Sequence, residues 1–286
     1  MDPIYILFGL GVGLLVGLTG IGGGSLMTPL LLLVGGISPA VAIGTDLAYG
    51  AVTKTVGGWR HLRSGTVDLG VSKWLAVGSV PGSLAGVAAV DLIAAQSLLV
   101  FVAVALSIAA LGILARAFVH APRERETVEM DTRRRLGAIG MGVVLGALVG
   151  LTSVGSGALI GLVLILVFRL TPHRVVGTDV FHAAILLWTA GIAHGFAGNI
   201  DYLLAATILL GSIPGVWLGT ALLPRVPAAG LRPALGCVLL AAALGVLSKA
   251  GLDVPATAIV GVPLAMGLVA FVVHRVRTPA REVVPA

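Results

Sequence analysis

Asp46, Lys54 and Asp179 stand inside stretches of the chain that are otherwise almost wholly apolar. On insertion scales each such charge costs about 2.5–3.5 kcal/mol at the centre of a membrane helix, so side chains of this kind usually face a bundle interior or a wet cavity. The two aspartates sit in the same short pattern, Gly44-Thr45-Asp46 and Gly177-Thr178-Asp179. Either could carry a proton; either could also cap a helix or lie near an interface, where ionisation is cheap. Lys54 could hold an anion or pair with an aspartate, or could snorkel toward a membrane face. His182 follows Asp179 by three residues, which places both on one helical face. A histidine beside a carboxylate can shuttle protons near neutral pH. A hydrogen-bonded structural histidine is the alternative. Thr45 and Thr178 complete the candidate polar pathway with Asp46, Asp179 and His182.

A second set of polar residues surrounds two glycine-rich breaks, GLTGIGGGSLMTP at 17–29 and GLTSVGSGAL at 150–159. Glycine is unfavourable in a helix by roughly 1 kcal/mol and proline by about 3, so each break should end one helix and begin another near Ser25 or Ala158. A helix N-terminus presents free N–H groups and about half a positive charge, and so attracts anions without a charged side chain. Thr19, Gly22, Gly23, Gly24, Ser25, Thr152, Ser153, Gly155, Ser156 and Gly157 are the candidate anion contacts there, with Lys54 adding charge. The hydroxyls could instead cap the helices, and the glycines could simply allow close helix packing.

The elements that must position these groups are membrane helices. Of 286 residues 58% are hydrophobic and 10% charged, with a mean hydropathy of +1.10; soluble domains carry about 25% charged residues. Apolar stretches fall near 4–18, 25–35, 38–58, 69–90, 94–118, 136–151, 158–168, 174–196, 202–223, 230–248 and 254–273. The net charge of +6 gathers in short loops and a linker, where it orients the chain in a membrane rather than binding nucleic acid. The start, MDPIYILFGL, has no basic n-region, so the first apolar stretch reads as part of the mature protein. The single cysteine, Cys237, allows no intrachain disulfide. No Walker A sequence is present, GIGGG follows no strand, and no tight His/Cys/carboxylate spacing suggests a metal. No cofactor is expected.

The chain also repeats itself. Shifted by 133 residues without a gap, residues 9–88 share 28 identities in 80 positions with 142–221. Aligned Thr-Asp, His61 with His194 and Asp68 with Asp201 go beyond compositional bias; those histidines and the last two aspartates read as turn-shaping residues near opposite surfaces. Residues 1–118 form the first repeat, 119–135 a charged cytoplasmic linker, 136–248 the second repeat, and 249–286 an extra helix and tail. Equivalent loops differ in charge. WRHLRSG at 59–65 is basic and its counterpart at 194–201 lacks Lys and Arg, while FRLTPHR at 168–174 is basic and its counterpart near 35–38 is uncharged. Basic loops stay cytoplasmic, so the repeats should be inverted. Residues 136–151 and 158–168 must then leave the cytoplasm and return, each too short for a full span: a re-entrant hairpin, repeated from the other face by 4–18 and 25–35. Irregular backbone at membrane depth is tolerated only when buried in protein or lining a cavity. Inverted repeats with broken helices are the arrangement of many secondary transporters.

With these residues in view the chain resembles the sulfite exporter TauE/SafE family. The matching pieces are GLTGIGGGSLMTPLL at 17–31, GLTSVGSGAL at 150–159, IGTDLAYGAVTKTVGGWRHLRSGTVD at 43–68 and VGTDVFHAAILLWTAGIAHGFAGNID at 176–201. The resemblance spans roughly residues 5–248. It implies a multi-pass transporter of the bacterial inner membrane that moves small sulfur-containing anions such as sulfite, sulfonates or organosulfur acids, often outward. It also implies that residues 19–25 and 152–157, with Thr45, Asp46, Thr178 and Asp179, carry the family's functional positions. Many members have Ser or Asn where Asp46 stands; an acid there repels an anion unless it is protonated or paired with Lys54.

The expectation is therefore an all-α integral membrane protein of two inverted repeats plus a C-terminal transmembrane helix, acting as a secondary transporter, with proton coupling as an option. Its partners are a small anion and the lipid bilayer, not nucleic acid, and monomer and homodimer are both open. A passive anion channel and a transporter of a non-sulfur organic anion are the alternatives. An intramembrane enzyme lacks a nucleophile or metal set to support it.

Overall fold

A computed structural model describes residues 3–19, 23–115, 124–222 and 228–277. These form eleven helices and no strand: α1 (Pro3–Thr19), α2 (Gly24–Leu33), α3 (Pro39–Arg63), α4 (Leu69–Val90), α5 (Ala95–Ala115), α6 (Thr132–Thr152), α7 (Leu159–Leu166), α8 (Pro172–Phe196), α9 (Tyr202–Leu222), α10 (Ala228–Lys249) and α11 (Ala256–Arg277). By length and composition α4, α5, α6, α8 and α9 can each cross a membrane. The chain is an all-α membrane protein.

The helix boundaries follow from local chemistry. Pro39 and Pro172 sit in the first turns of α3 and α8, directly after Ser38 and Thr171 in extended backbone, where a missing N–H costs nothing. Asp68 caps α4 by accepting from Val71 N at 3.0 Å, and Asp201 caps α9 by accepting from Leu204 N at 2.9 Å. Asp131 caps α6 through Arg134 N at 2.8 Å. That cap starts α6 four residues ahead of the expected apolar stretch and gives it 21 residues, so α6 is long enough to span, contrary to the expected short segment. Similarly, α3 runs five residues past its apolar stretch, because the basic turn Trp59–Arg63 continues the helix.

Shifting α3 by 133 residues lands it on α8 at both ends, and α5 lands on α10 to within one residue. Yet α3 and α8 cross in opposite directions. A Cβ on Gly191 would contact Ala48, whereas one on Gly57 would contact Val180. Two other close pairs, α1 with α9 and α4 with α6, run parallel and join the two halves. Gly9, Gly13 and Gly17 of α1 meet the backbone of α9, and Gly211, Gly215 and Gly219 of α9 meet that of α1. The same four-residue spacing brings Gly142, Gly146 and Gly150 of α6 against α4, and Gly78, Gly82 and Gly86 of α4 against α6. A Cβ on Gly13 would stand 2.5 Å from the Ser212 carbonyl oxygen, so this approach requires glycine. Small-residue faces of this kind let backbones touch where no water drives association.

Loops then gather at two ends. At one end Arg174 Nη1 donates to Val67 O, Val128 N to Asp68 Oδ2, and residues 125 and 170 form a bridge. Loops 64–68 and 167–171 thus lie together with the linker. At the other end Asp201 N donates to Thr45 Oγ1 and Asn199 Nδ2 to Asp91 Oδ1.

Candidate functional site

The two glycine-rich breaks meet inside the helix bundle. α6 ends at Thr152, and Ser153 caps it with φ +60, a left-handed conformation uncommon outside glycine. The turn continues through Gly155 at φ +122 and Gly157 at φ +114. It carries Ser153 to the start of α2, where a Cβ on Gly24 would fall 2.7 Å from the Ser153 carbonyl oxygen. Glycine at 24 is what lets the two breaks touch.

At this junction three side chains close on one another. Thr28 Oγ1 donates to Asp46 Oδ2 at 2.5 Å, and Ser153 Oγ donates to the same oxygen. The two hydroxyls lie 3.0 Å apart. All three residues are completely buried. One carboxylate oxygen thereby links α2, α3 and the break after α6. Hydrogen bonds to a charged group are the strong ones. The second oxygen, Asp46 Oδ1, has no hydrogen-bond partner.

A second cluster forms where α3 crosses α8. Lys54 Nζ lies 3.8 Å from Asp179 Oδ2, with both side chains buried. The backbone N–H of Gly157 points to the Asp179 carboxylate. His182 Nε2 shares a hydrogen bond of 3.2 Å with Ser79 Oγ on α4. Residues 153 to 157 therefore run from the first cluster to the second. Around this path, Ser25 Oγ, Asp46 Oδ1, Lys54 Nζ, Ser72 Oγ, Ser156 Oγ, Asp179 Oδ1 and His182 Nδ1 are buried without a hydrogen-bond partner. Native interiors satisfy nearly all buried polar groups, so a concentration of unmet donors and acceptors marks a place that suits water or a small polar solute.

The candidates separate into groups. Gly23, Gly24, Ser25, Lys54, Ser153, Gly155, Ser156 and Gly157 lie on or beside this path, with Asp46, Asp179 and His182. Lys54 pairs with Asp179 and not with Asp46, because the α3–α8 register, with Gly50 against Leu187 and Gly57 against Val180, places residue 54 level with the middle of α8 and within reach of Asp179. It does not snorkel. The hydroxyls of Thr45 and Thr178 accept from Asp201 N at 3.0 Å and Asp68 N at 2.8 Å; they tie helices to loops and do not face the clusters. Thr152 Oγ1 donates back to Leu148 O at 2.6 Å. Thr19 closes α1, and Gly22 lies outside the described residues. His194 lies in the last turn of α8 and is fully buried, with Nε2 3.0 Å from Gly150 O. Its counterpart His61 bonds Thr66 Oγ1 at 2.9 Å. Among the described residues no group of His, Cys, Asp or Glu has metal-site geometry.

Thr28 and Ser79 escaped the sequence reading. Ser79 had a signal, since Gly-Ser-x-Pro-Gly occurs at 78–82 and 211–215. Thr28 had less, a lone hydroxyl in an apolar run with glycine, Gly161, in the matching place.

Comparison with known proteins agrees with this architecture. The family model described as sulfite exporter TauE/SafE matches residues 5–246. A probable membrane transporter protein of Bacillus subtilis, YjnA, is 40% identical over 253 residues, covering 85% of this chain and 99% of the relative. A second from the same organism, YdhB, is 30% identical over 238 residues, covering 80% and 96%. A probable membrane transporter protein of Xylella fastidiosa is 28% identical over 239 residues, covering 82% and 91%. No solved structure matches this chain. A match across nearly all of both halves, with relatives named as membrane transporters, identifies the chain as a member of the sulfite exporter TauE/SafE family.

Proposed function

We propose that this chain is a secondary transporter that exports a small sulfur-containing anion, such as sulfite, a sulfonate or an organosulfur acid, across a bacterial inner membrane, in exchange with or together with protons. The observation that carries the reading is the run of buried, unpartnered polar atoms between Asp46 and Asp179, set against two helix breaks. In this reading the anion rests at the N-terminal ends of α2 and α7 and draws on the ammonium of Lys54. The helix ends supply N–H donors and positive potential, and Ser25 and Ser156 supply hydroxyls. Asp46, Asp179 and His182 carry protons. An acid beside an anion path then has a use: protonated, Asp46 no longer repels the solute, and its hydroxyl clasp can open.

The test is flux in liposomes holding the purified protein, with sulfite, taurine-like sulfonates, organosulfur acids, sulfate and non-sulfur carboxylates compared. Saturable flux of a sulfur anion that falls when a protonophore collapses the proton gradient supports the reading. Preference for carboxylates overturns the substrate class. Flux that does not saturate and ignores the proton gradient assigns a passive anion channel instead.

A further inference from the structure

A basic cavity of about 490 Å³ opens at the end of the molecule where the linker meets α6 and the loop after α7. It is separate from the central polar path. Four arginines line it, Arg125, Arg133, Arg134 and Arg169, against one acidic residue, Asp131. That carboxylate is already engaged in capping α6 through Arg134 N. The Arg134 side chain donates to Glu129 O at 2.8 Å. The side chains of Arg125, Arg133 and Arg169 have no ion pair among the described residues.

Two features go beyond a general excess of positive charge on one membrane face. First, Arg133 and Arg134 occupy the opening turn of α6. A helix N-terminus is the positive end of the dipole and favours acids, so arginines there raise each other's energy unless an anion sits among them. Second, the loop is built to hold its arginine in place. Arg169 has φ +58, a conformation non-glycine residues rarely adopt. It is fixed because Arg125 N donates to Arg169 O at 2.8 Å and Thr171 N to Arg125 O at 3.1 Å. Linker and loop are thereby locked with Arg125 and Arg169 beside one space.

The cavity wall is not polar throughout. Met141 and Val167 line it, and Val167 is 53% exposed, next to Leu166 at 47%. On α6, Leu136 is 65% and Val144 60% exposed. The apolar side of the cavity is thus continuous with a face suited to acyl chains. We propose that this cavity binds a phosphate-bearing anion, namely the headgroup of an anionic phospholipid whose chains lie along α6 and the end of α7. Guanidinium groups match phosphate oxygens in bidentate geometry, and basic pockets between membrane helices take acidic headgroups.

The test uses the full chain, purified in detergent and stripped of lipid, with bound lipid counted by native mass spectrometry. Phosphatidylglycerol is retained over phosphatidylcholine, and Arg133→Gln with Arg169→Gln lowers its retention by about tenfold or more, since each substitution removes a charge-assisted hydrogen bond to the phosphate. Arg60→Gln with Arg63→Gln, at the same end of the molecule, leaves retention unchanged. If the double variant does not fold, Arg133→Gln alone serves, because that side chain has no ion pair to break among the described residues. Equal retention of the two lipids overturns the site, as does an equal loss in the Arg60/Arg63 control. Displacement of phosphatidylglycerol by equimolar glycerol 1-phosphate keeps a phosphate site but overturns the lipid as its source.

Discussion

The pair of Lys54 and Asp179 gives the sharpest test of how the centre works. At 3.8 Å and an effective dielectric constant of about 20, two unit charges attract by about 4 kcal/mol. Removing one partner of a buried pair typically costs about 3–5 kcal/mol, because the other charge is left uncompensated. Lys54→Met should therefore lower the melting temperature in detergent by several degrees. Asp179→Asn added to it should restore most of that loss: the amide oxygen still accepts the Gly157 N–H and no lone charge remains. Transport separates the roles. If the two groups only hold α3 against α8, the double variant regains flux together with stability. If the ammonium serves the anion or Asp179 the proton, the double variant folds and does not transport, and Asp179→Asn alone tells the two apart. Native stability in Lys54→Met would refute the claim that the pair is intimate, and native flux in the double variant would remove Lys54 from the transport path.

Two further predictions address the Asp46 clasp and the arrangement of the ends. Ser153→Ala leaves Asp46 Oδ2 with only Thr28 as a donor and should cost about 1–3 kcal/mol in unfolding; combined with Thr28→Val in a double-mutant cycle, the two should be non-additive by more than about 0.5 kcal/mol, and simple additivity would separate the hydroxyls. In a Cys237→Ser background, cysteines at Arg60 and at His173, whose side chain is 55% exposed, should react with an impermeant maleimide from one side of the membrane. A cysteine at Phe196, 92% exposed, should react from the other; labelling of 60 and 173 from opposite sides would sink the inverted arrangement.

What was legible in the sequence depended on whether the signal was local. The starts of α3 and α8 were readable to within two residues from the apolar pattern, at 38 and 174 against Pro39 and Pro172, and the breaks near Ser25 and Ala158 were readable because glycine is unfavourable in a helix. Asp46, Lys54, Asp179 and His182 stood out because ionisable groups in apolar runs are expensive and rare. Their partners were not legible. That Lys54 meets Asp179 depends on the register of two helices more than a hundred residues apart. That Ser153 reaches Asp46 depends on three backbone conformations, at Ser153, Gly155 and Gly157, which composition permits but does not specify. The length of α6 was underestimated because its first turn, Thr132–Arg135, is polar: a cap at Asp131 overrides the apolar pattern that defines a span.

The glycine seams bear on what moves. A duplicated sequence invites the view that one repeat rocks against the other. Here α1 belongs to the first half and lies along α9 of the second, backbone against backbone over more than two turns, and α6 lies in the same way along α4. Sliding or separating such a pair forfeits close packing whose attraction falls by a quarter to a half within about 0.5–1 Å. Each pair is therefore a stiff unit drawn from both halves, and the sequence repeat is not the mechanical one. Polar links at the centre instead join α2, α3 and α8 to one another and to the α4–α6 unit: the Thr28–Asp46–Ser153 clasp, the Lys54–Asp179 pair and the His182–Ser79 bond. Each includes a group whose charge changes with a proton or can be answered by an anion. On the proposed function, motion of α2, α3 and α8 relative to the α4–α6 unit would thus be governed at the few places that substrate and proton can alter, while the glycine seams stay shut.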